Sequence, residues 1–371
     1  MKRRSFLKGA TVAGAAGAAT LASSFPKPAI SQNRMEWRMV TAWPKGLPGV
    51  GTSAQRLADN VTAMSDGRLT VKLYAAGELV PGLACFDAVS DGTAEMGHDA
   101  SYYHLNKSEA CAFFTAFPFG FTASEQTAWI HHGGGQQLWD ELYAPFNLKG
   151  FIAGNTGTQM FGWFRKEINS VDDLKGLKFR TPGNTAKIMT KLGATIIQLP
   201  GGEIFPNLQS GALDAAEWIG PYNDLPFGLY QVAPYYYSPG FQEFSASLNL
   251  VVNKEKYDAL PNDLQQIIKV AAQAGHDDML AEATAGNGPA LATLVQQHNV
   301  QLRRLPRDVL IAMGNATNEV LLELIDNADP MTKKVIDSYL GFREKVVPWS
   351  RVGEHAVYEA RVLPFPHGKR V

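Results

Sequence analysis

Apolar residues first alternate and then recur at helical spacing along this chain. Trp37, Met39 and Thr41 alternate against Arg38 and Val40, which predicts a strand over residues 35–42. After the turn PKGLPGVG, Leu57, Val61 and Met64 recur at helical spacing with Ala54 and Ala58 beside them, and Asp66-Gly67 ends the helix. Leu69, Val71 and Leu73 alternate in a second strand. A second helix over roughly 82–90 stops at Gly92, and an apolar run leads to Tyr102-Tyr103. Strand–helix–strand–helix order of this kind builds a layered α/β unit.

The pattern restarts after Lys149. Short strands are predicted over 150–155, 160–165, 177–180 and 215–219, with helices over 185–192 and in 201–211. A longer strand, ending LNLVVN, is predicted over 244–253. The stretch behind Pro261 and Asp263 runs helical to about Asn299 without a break, long enough to lie along two domains. NVQLRRL reads as a last strand and the tail from Asp308 as helix. Two α/β units whose strands cross near residues 155 and 245 predict a two-domain, periplasmic-binding-protein-like fold with a hinge, a central cleft and a long spanning helix. Such folds close around ligands. The boundaries expected are 32–154 with 246–288, 155–245 with 289–340, and a C-terminal helix and tail over 341–371.

The first residues change the picture of where the protein works. MKRRSFLKG has a basic start, then a weak Ala/Gly-rich apolar run and a small-residue exit, the pattern of an export signal with cleavage near Ser31. RRSFLK resembles the twin-arginine signature, which places the product in the periplasm. The alternative is an N-terminal membrane anchor, but a spanning helix needs roughly 20 apolar residues. The leader holds 5 of the 34 basic residues and no acidic one, which leaves 29 against 35 acidic, a net of −6. A mildly acidic protein lacks the electrostatic footprint for nucleic acid or anionic lipid. Cys85 and Cys111 have no metal-ligand spacing; they are either a disulfide or two buried thiols.

Several segments carry candidate chemistry. Arg180, in DLKGLKFRTPGN, and Glu217, in ALDAAEWIGPYND, are charges set in apolar, Gly/Pro-punctuated contexts, and buried charges need partners. GLPGVG has spacing unlike the G-x-G-x-x-G of a dinucleotide site and reads as a loop before a helix, whose N-terminus could help to hold an anion. His131 and His132 face different ways on a helix, and His276 beside Asp277 and Asp278 reads as part of a solvated face. Tyr102 and Tyr103 are either core or pocket-lining groups whose hydroxyls find partners. Gln159, in GNTGTQMFGWF, is an internal hydrogen-bonder or a metal ligand, and Glu243 is exposed or in the site. Hydrolase, zincin and P-loop motifs are absent from the sequence.

Taken together, AVSDGTAEMG, SYYH, GNTGTQMFGWF, DLKGLKFRTPG, AAEWIGPYND and YYYSPG-x-x-E resemble the DctP-type solute receptors of TRAP transporters, over essentially the span from Trp37 to about Phe342. The contexts of Gln159, Glu217-Trp218 and Glu243 resemble the subgroup that binds 2-oxo or 2-hydroxy monocarboxylates, such as pyruvate or lactate, with a metal cation.

That resemblance implies a receptor, not an enzyme, delivering its ligand to membrane permease subunits. It implies a substrate-binding set of Arg180, Gln159, Tyr102, Tyr103, Asn155 and Trp218, with Arg180 gripping the carboxylate. A planar guanidinium does this bidentately and a lysine does not. It implies a cation site of Gln159, Glu217, the Trp218 carbonyl and Glu243, hard oxygen donors suited to Ca²⁺ or Na⁺. Arg180, two glutamates and a monocarboxylate sum to −2, which Ca²⁺ neutralises and Na⁺ does not, so a low-dielectric cleft favours Ca²⁺. Trp218, Phe205, Tyr102 and Tyr103 leave an apolar pocket for a short tail. A homodimer exchanging C-terminal helices is compatible with the long tail. The competing expectation is an exported cofactor-dependent enzyme acting on a small organic acid.

Overall fold

The computed structural model describes residues 34–366; the expected leader and its cleavage near Ser31 lie outside them. The strands, in chain order, are β1 (Met35–Thr41), β2 (Leu69–Tyr74), β3 (Met96–Asp99), β4 (Leu148–Asn155), β5 (Gly162–Phe164), β6 (Lys178–Arg180), β7 (Thr195–Ile196), β8 (Ala215–Ala216), β9 (Tyr235–Ser238), β10 (Ser247–Asn253) and β11 (Gln301–Arg304). They form two mixed sheets. One has the order β2-β1-β3-β10-β4 and the other β11-β9-β5-β8-β6-β7. The chain therefore leaves the first sheet after β4, builds most of the second, and returns through β10. This is the two-lobe α/β arrangement the strand–helix order predicts.

The chain crosses between the sheets three times, after β4, before β10 and between β10 and β11, and the first two crossings are hydrogen-bonded to each other. Ser247 pairs with Asn155 at the end of the β10–β4 ladder. Beyond the ladder, Thr156 N donates to Ala246 O at 3.0 Å, Gln159 N to Glu243 O at 3.3 Å and Gly240 N to Gln159 O at 3.2 Å. The strand expected over 244–253 is shorter than predicted, because residues before Ser247 belong to this crossing and not to the sheet.

The long helix is Asn262–Gln296. It packs on β4 and on the short helix Pro221–Phe227, so it touches elements on both sides of the crossing. Apolar periodicity does not pick out Ala123–His132 or Gly135–Tyr143 as helices. The first starts at a capping box between Thr122 and Glu125, and the second is anchored by Trp139 and Tyr143, both fully buried. The boundary expected at 341 falls inside one helix, Pro330–Val352, and so does not separate a C-terminal unit. Among the described residues no helix is long and apolar enough to cross a membrane.

His276 corrects the sequence reading. It is buried, with Nδ1 2.9 Å from the Gly154 carbonyl and Nε2 2.9 Å from Thr127 Oγ1. Only its neighbours Asp277 and Asp278 face solvent. The helix turns its His276 side onto β4, which one polar triplet in the sequence does not reveal. Burial pushes this imidazole down to about 4. Cys85 and Cys111 are both buried free thiols.

Candidate functional site

Arg180 and Glu217 meet because their strands are adjacent. β6 and β8 run parallel with Arg180 opposite Ala216, and Glu217 N donates to Arg180 O at 3.2 Å. Both side chains thus leave the carboxyl ends of parallel strands, where open α/β sheets place ligands. Arg180 Nη1 donates to Glu217 Oε1 at 2.6 Å and to the Glu217 carbonyl at 3.1 Å, and Nε donates to Leu199 O at 3.1 Å. The guanidinium also lies 5.5 Å from the Trp218 ring centre.

Gln159 and Glu243 meet because the first two crossings are paired. Gln159 Nε2 donates to Glu243 Oε2 at 2.6 Å and to Thr156 Oγ1 at 3.0 Å. Both residues are buried, which answers the open question over Glu243. With its amide nitrogen so engaged, Gln159 turns Oε1 to a buried position without a hydrogen-bond partner. Trp218 Nε1 is likewise buried and unpartnered.

The electrostatics are those of a site short of positive charge. Burial pushes the Glu217 carboxyl up to about 7, against the pull of Arg180 and with Asp224 adding to the rise. Burial, followed by the Glu217 charge, pushes Glu243 well above the ordinary carboxylate range. Burial raises Tyr102 and Tyr103 as well, keeping both hydroxyls protonated. One guanidinium thus serves two buried carboxylates.

Of these groups, Arg180, Gln159, Trp218, Tyr102 and Tyr103 line a narrow pocket between the lobes, whereas Glu217 and Glu243 are not among its wall residues. Its walls include Trp43, Val50, Tyr102, Tyr103, Gln159, Arg180, Trp218 and Ile219. A wider chamber shares Tyr102, Tyr103 and Arg180 with it and is lined further by Leu83, His104, Lys107 and Gln198. Two further expected residues are also outside the narrow pocket's wall. Asn155 is buried at the crossing, its Oδ1 accepting from Gly157 N at 2.8 Å, and does not line the cavity. Phe205 is half-buried and also outside the lining.

Other contributors are Trp43 and His98, which lie outside the quoted motifs, and Asp224, which ends AAEWIGPYND. Trp43 Nε1 donates to His98 Nδ1 at 2.8 Å, while His98 Nε2 lies 3.3 Å from Ala153 O. The imidazole is thereby held as the neutral Nε2–H tautomer, and burial pushes it down to about 4. Asp224 accepts from Ile219 N at 3.1 Å, Trp163 Nε1 at 2.8 Å and Tyr236 OH at 2.7 Å, which pins the segment that carries Glu217 and Trp218.

Residues 39–327 match the DctP family, bacterial extracellular solute-binding protein, family 7. The chain belongs to this family. A monocarboxylate 2-oxoacid-binding periplasmic protein of Nostoc sp. is 41% identical over 356 residues, covering 95% of this chain and 97% of its own. A TRAP solute-binding protein of Pseudoalteromonas atlantica, solved with sodium and pyruvate, is 41% identical, with a TM-score of 0.85 over 88% of this chain and 99% of its own. One from Bordetella bronchiseptica, solved as a dimer with calcium and picolinate in one active site, is 39% identical, with a TM-score of 0.86 over 88% of this chain and 97% of its own. Membership makes this DctP-family chain an extracytoplasmic solute receptor by family, and its two mixed sheets are the family's two-lobe fold.

Proposed function

We propose that this receptor captures a small 2-oxo monocarboxylate, such as pyruvate, together with a Ca²⁺ or Na⁺ ion and hands it to a TRAP permease. The observation that carries the reading is that Arg180 and Gln159, each bonded to a buried glutamate, Glu217 and Glu243, line one narrow pocket, with a buried Gln159 oxygen lacking a partner. Arg180 holds the ligand carboxylate. Gln159 Oε1, the carboxylates of Glu217 and Glu243 and the Trp218 carbonyl hold the cation, which supplies the missing positive charge and polarises the ligand's oxygens. The donor set fits a hard cation, because every donor in it is an oxygen.

Pyruvate and picolinate share one chemical feature that supports this ligand class. Each sets a second donor atom beside its carboxylate, a keto oxygen or a ring nitrogen, and so can chelate a single cation. The Pseudoalteromonas and Bordetella relatives were solved with these two molecules. Titration calorimetry with pyruvate, with and without Ca²⁺, tests the proposal. Binding is expected only with the cation present, and no binding in either condition sinks the reading.

Three finer points belong to the same reading. Units 32–154 with 246–288 and 155–245 with 289–340 move as bodies about the paired crossings; an interlobe distance unaltered by pyruvate with Ca²⁺ counts against this. Export follows the twin-arginine route; replacing Arg3 and Arg4 by lysine should keep the protein in the cytoplasm, and unimpaired export removes the route. The helices Pro330–Val352 and Glu354–Arg361 expose Trp349, Val352, Val357, Tyr358 and Val362, which suits a homodimer that exchanges them. A monomer mass by light scattering at micromolar concentration excludes that assembly.

A further inference from the structure

The Gly46–Gly51 turn, of which only Val50 lines the pocket, carries a buried hydrogen bond from the opposite side of the cleft. Asn223 stands on the short helix Pro221–Phe227, directly after the Glu217–Ile219 segment. Its Nδ2 donates to the Pro48 carbonyl at 2.7 Å, across the cleft. The side chain is buried there. The contact depends on Gly49. Its φ is +78°, and a Cβ at this position would overlap the Asn223 amide.

Both halves of this contact are joined to the cavity wall within a few residues. Val50, next after Gly49, lines the cavity, and so do Trp218 and Ile219 on the Asn223 side. The Asn223 half is held rigidly. Asp224 takes the Ile219 N–H, Tyr222 N donates to Asn287 Oδ1 at 3.0 Å and Tyr222 OH to Glu282 at 2.8 Å on the long helix. On the other flank, Lys187 reaches Glu109 at 2.6 Å, but that pair is well exposed, and exposed pairs contribute little. A buried, geometrically constrained hydrogen bond is the stronger tie.

We infer that Asn223 is a positioning residue that latches the closed cleft by seating on the Pro48–Gly49 turn, and so sets how slowly ligand leaves. It touches neither the carboxylate grip nor the cation donors. Its loss therefore acts on release and leaves capture by the open form as it was. The ligand used to read it rests on the function proposed above.

The test is stopped-flow tryptophan fluorescence with pyruvate and Ca²⁺ on wild type, Asn223→Ala, Gly49→Ala and the double variant. Both single variants should speed dissociation about tenfold, about 1.4 kcal/mol, at unchanged association rate. The double variant should be no faster than either, because both changes remove one contact. Equal dissociation rates in wild type and both single variants overturn the latch. If Asn223→Ala does not fold, Gly49→Ala carries the comparison alone. If wild type binds no pyruvate, the functional proposal fails separately. The latch is then read from spin labels at Lys72→Cys and Lys175→Cys, since the native thiols are buried. Fewer closed molecules in the Gly49→Ala protein support it, and an unchanged distance distribution rejects it.

Discussion

The Arg180 guanidinium lies 2.6 Å from the Glu217 carboxylate, and both side chains are almost wholly buried. The two desolvated charges compensate each other. In the function proposed above, the ligand carboxylate takes Arg180 and the cation takes Glu217, so binding divides the pair. Breaking such a pair from one side is far costlier than its net contribution suggests.

Arg180→Ala should therefore weaken pyruvate binding by about 100-fold or more, since truncating one member of a buried charge pair costs about 2–5 kcal/mol. Arg180→Lys should not restore it, because an ammonium lacks the fork that holds Nε to Leu199 O while Nη1 donates to Glu217. Calorimetric affinities of the three proteins check this, and wild-type affinity in Arg180→Ala would remove Arg180 from the site.

Glu243→Gln should separate stability from function. The buried Glu243 carboxylate accepts from the Gln159 amide, and its proton affinity is raised by burial and by Glu217. Neutralising it should raise the ligand-free stability at pH 8 by about 1 kcal/mol. The same change should abolish the response of pyruvate affinity to Ca²⁺. Urea denaturation and calcium titrations read the two effects. A destabilised protein with intact calcium dependence contradicts the assignment.

His98 and His276 predict a stability loss in mild acid. Both are pushed down to about 4 by burial, from an ordinary value of 6.5. A base whose folded-state value is depressed favours the unfolded chain once protons become available. The stability is thus present above about 6.5 and is lost as pH falls towards 4. Between pH 7 and 5 each histidine should cost about 2 kcal/mol. Urea midpoints at the two pH values measure the drop, and a His276→Gln protein should show a smaller one. An equal drop in both proteins would falsify the contribution of His276.

Cys85 and Cys111 should be silent in the native protein. Cys111 is pushed up to about 12 by burial, Cys85 is raised too, and neither has an oxidised partner. A thiol reagent should find no reactive group under native conditions and two after denaturation. Fast native labelling would contradict the burial of both.

Much of the receptor is written locally in the chain. Alternation and helical spacing marked most strands of both sheets and the long helix, because period and punctuation are local properties. The RTPGN stop placed Arg180 at a strand end, and the motif contexts pointed to Gln159, Glu217 and Glu243 before any contact was known. The edges of that reading are also local. The strand before Ser247 was drawn too long, since only pairing between the crossings tells sheet from hinge.

What the tertiary structure alone decided is who meets whom. Arg180 and Glu217 stand 37 residues apart and touch only because β6 and β8 are parallel neighbours. Gln159 and Glu243 stand 84 apart and touch because the first two crossings run side by side. His276 is buried because of the face its helix turns to β4, and Asn223 reaches Pro48 across 175 residues of chain. Sequence determined the groups and the strand ends that carry them; long-range packing determined their partners, and with them the two buried carboxylates that share one guanidinium.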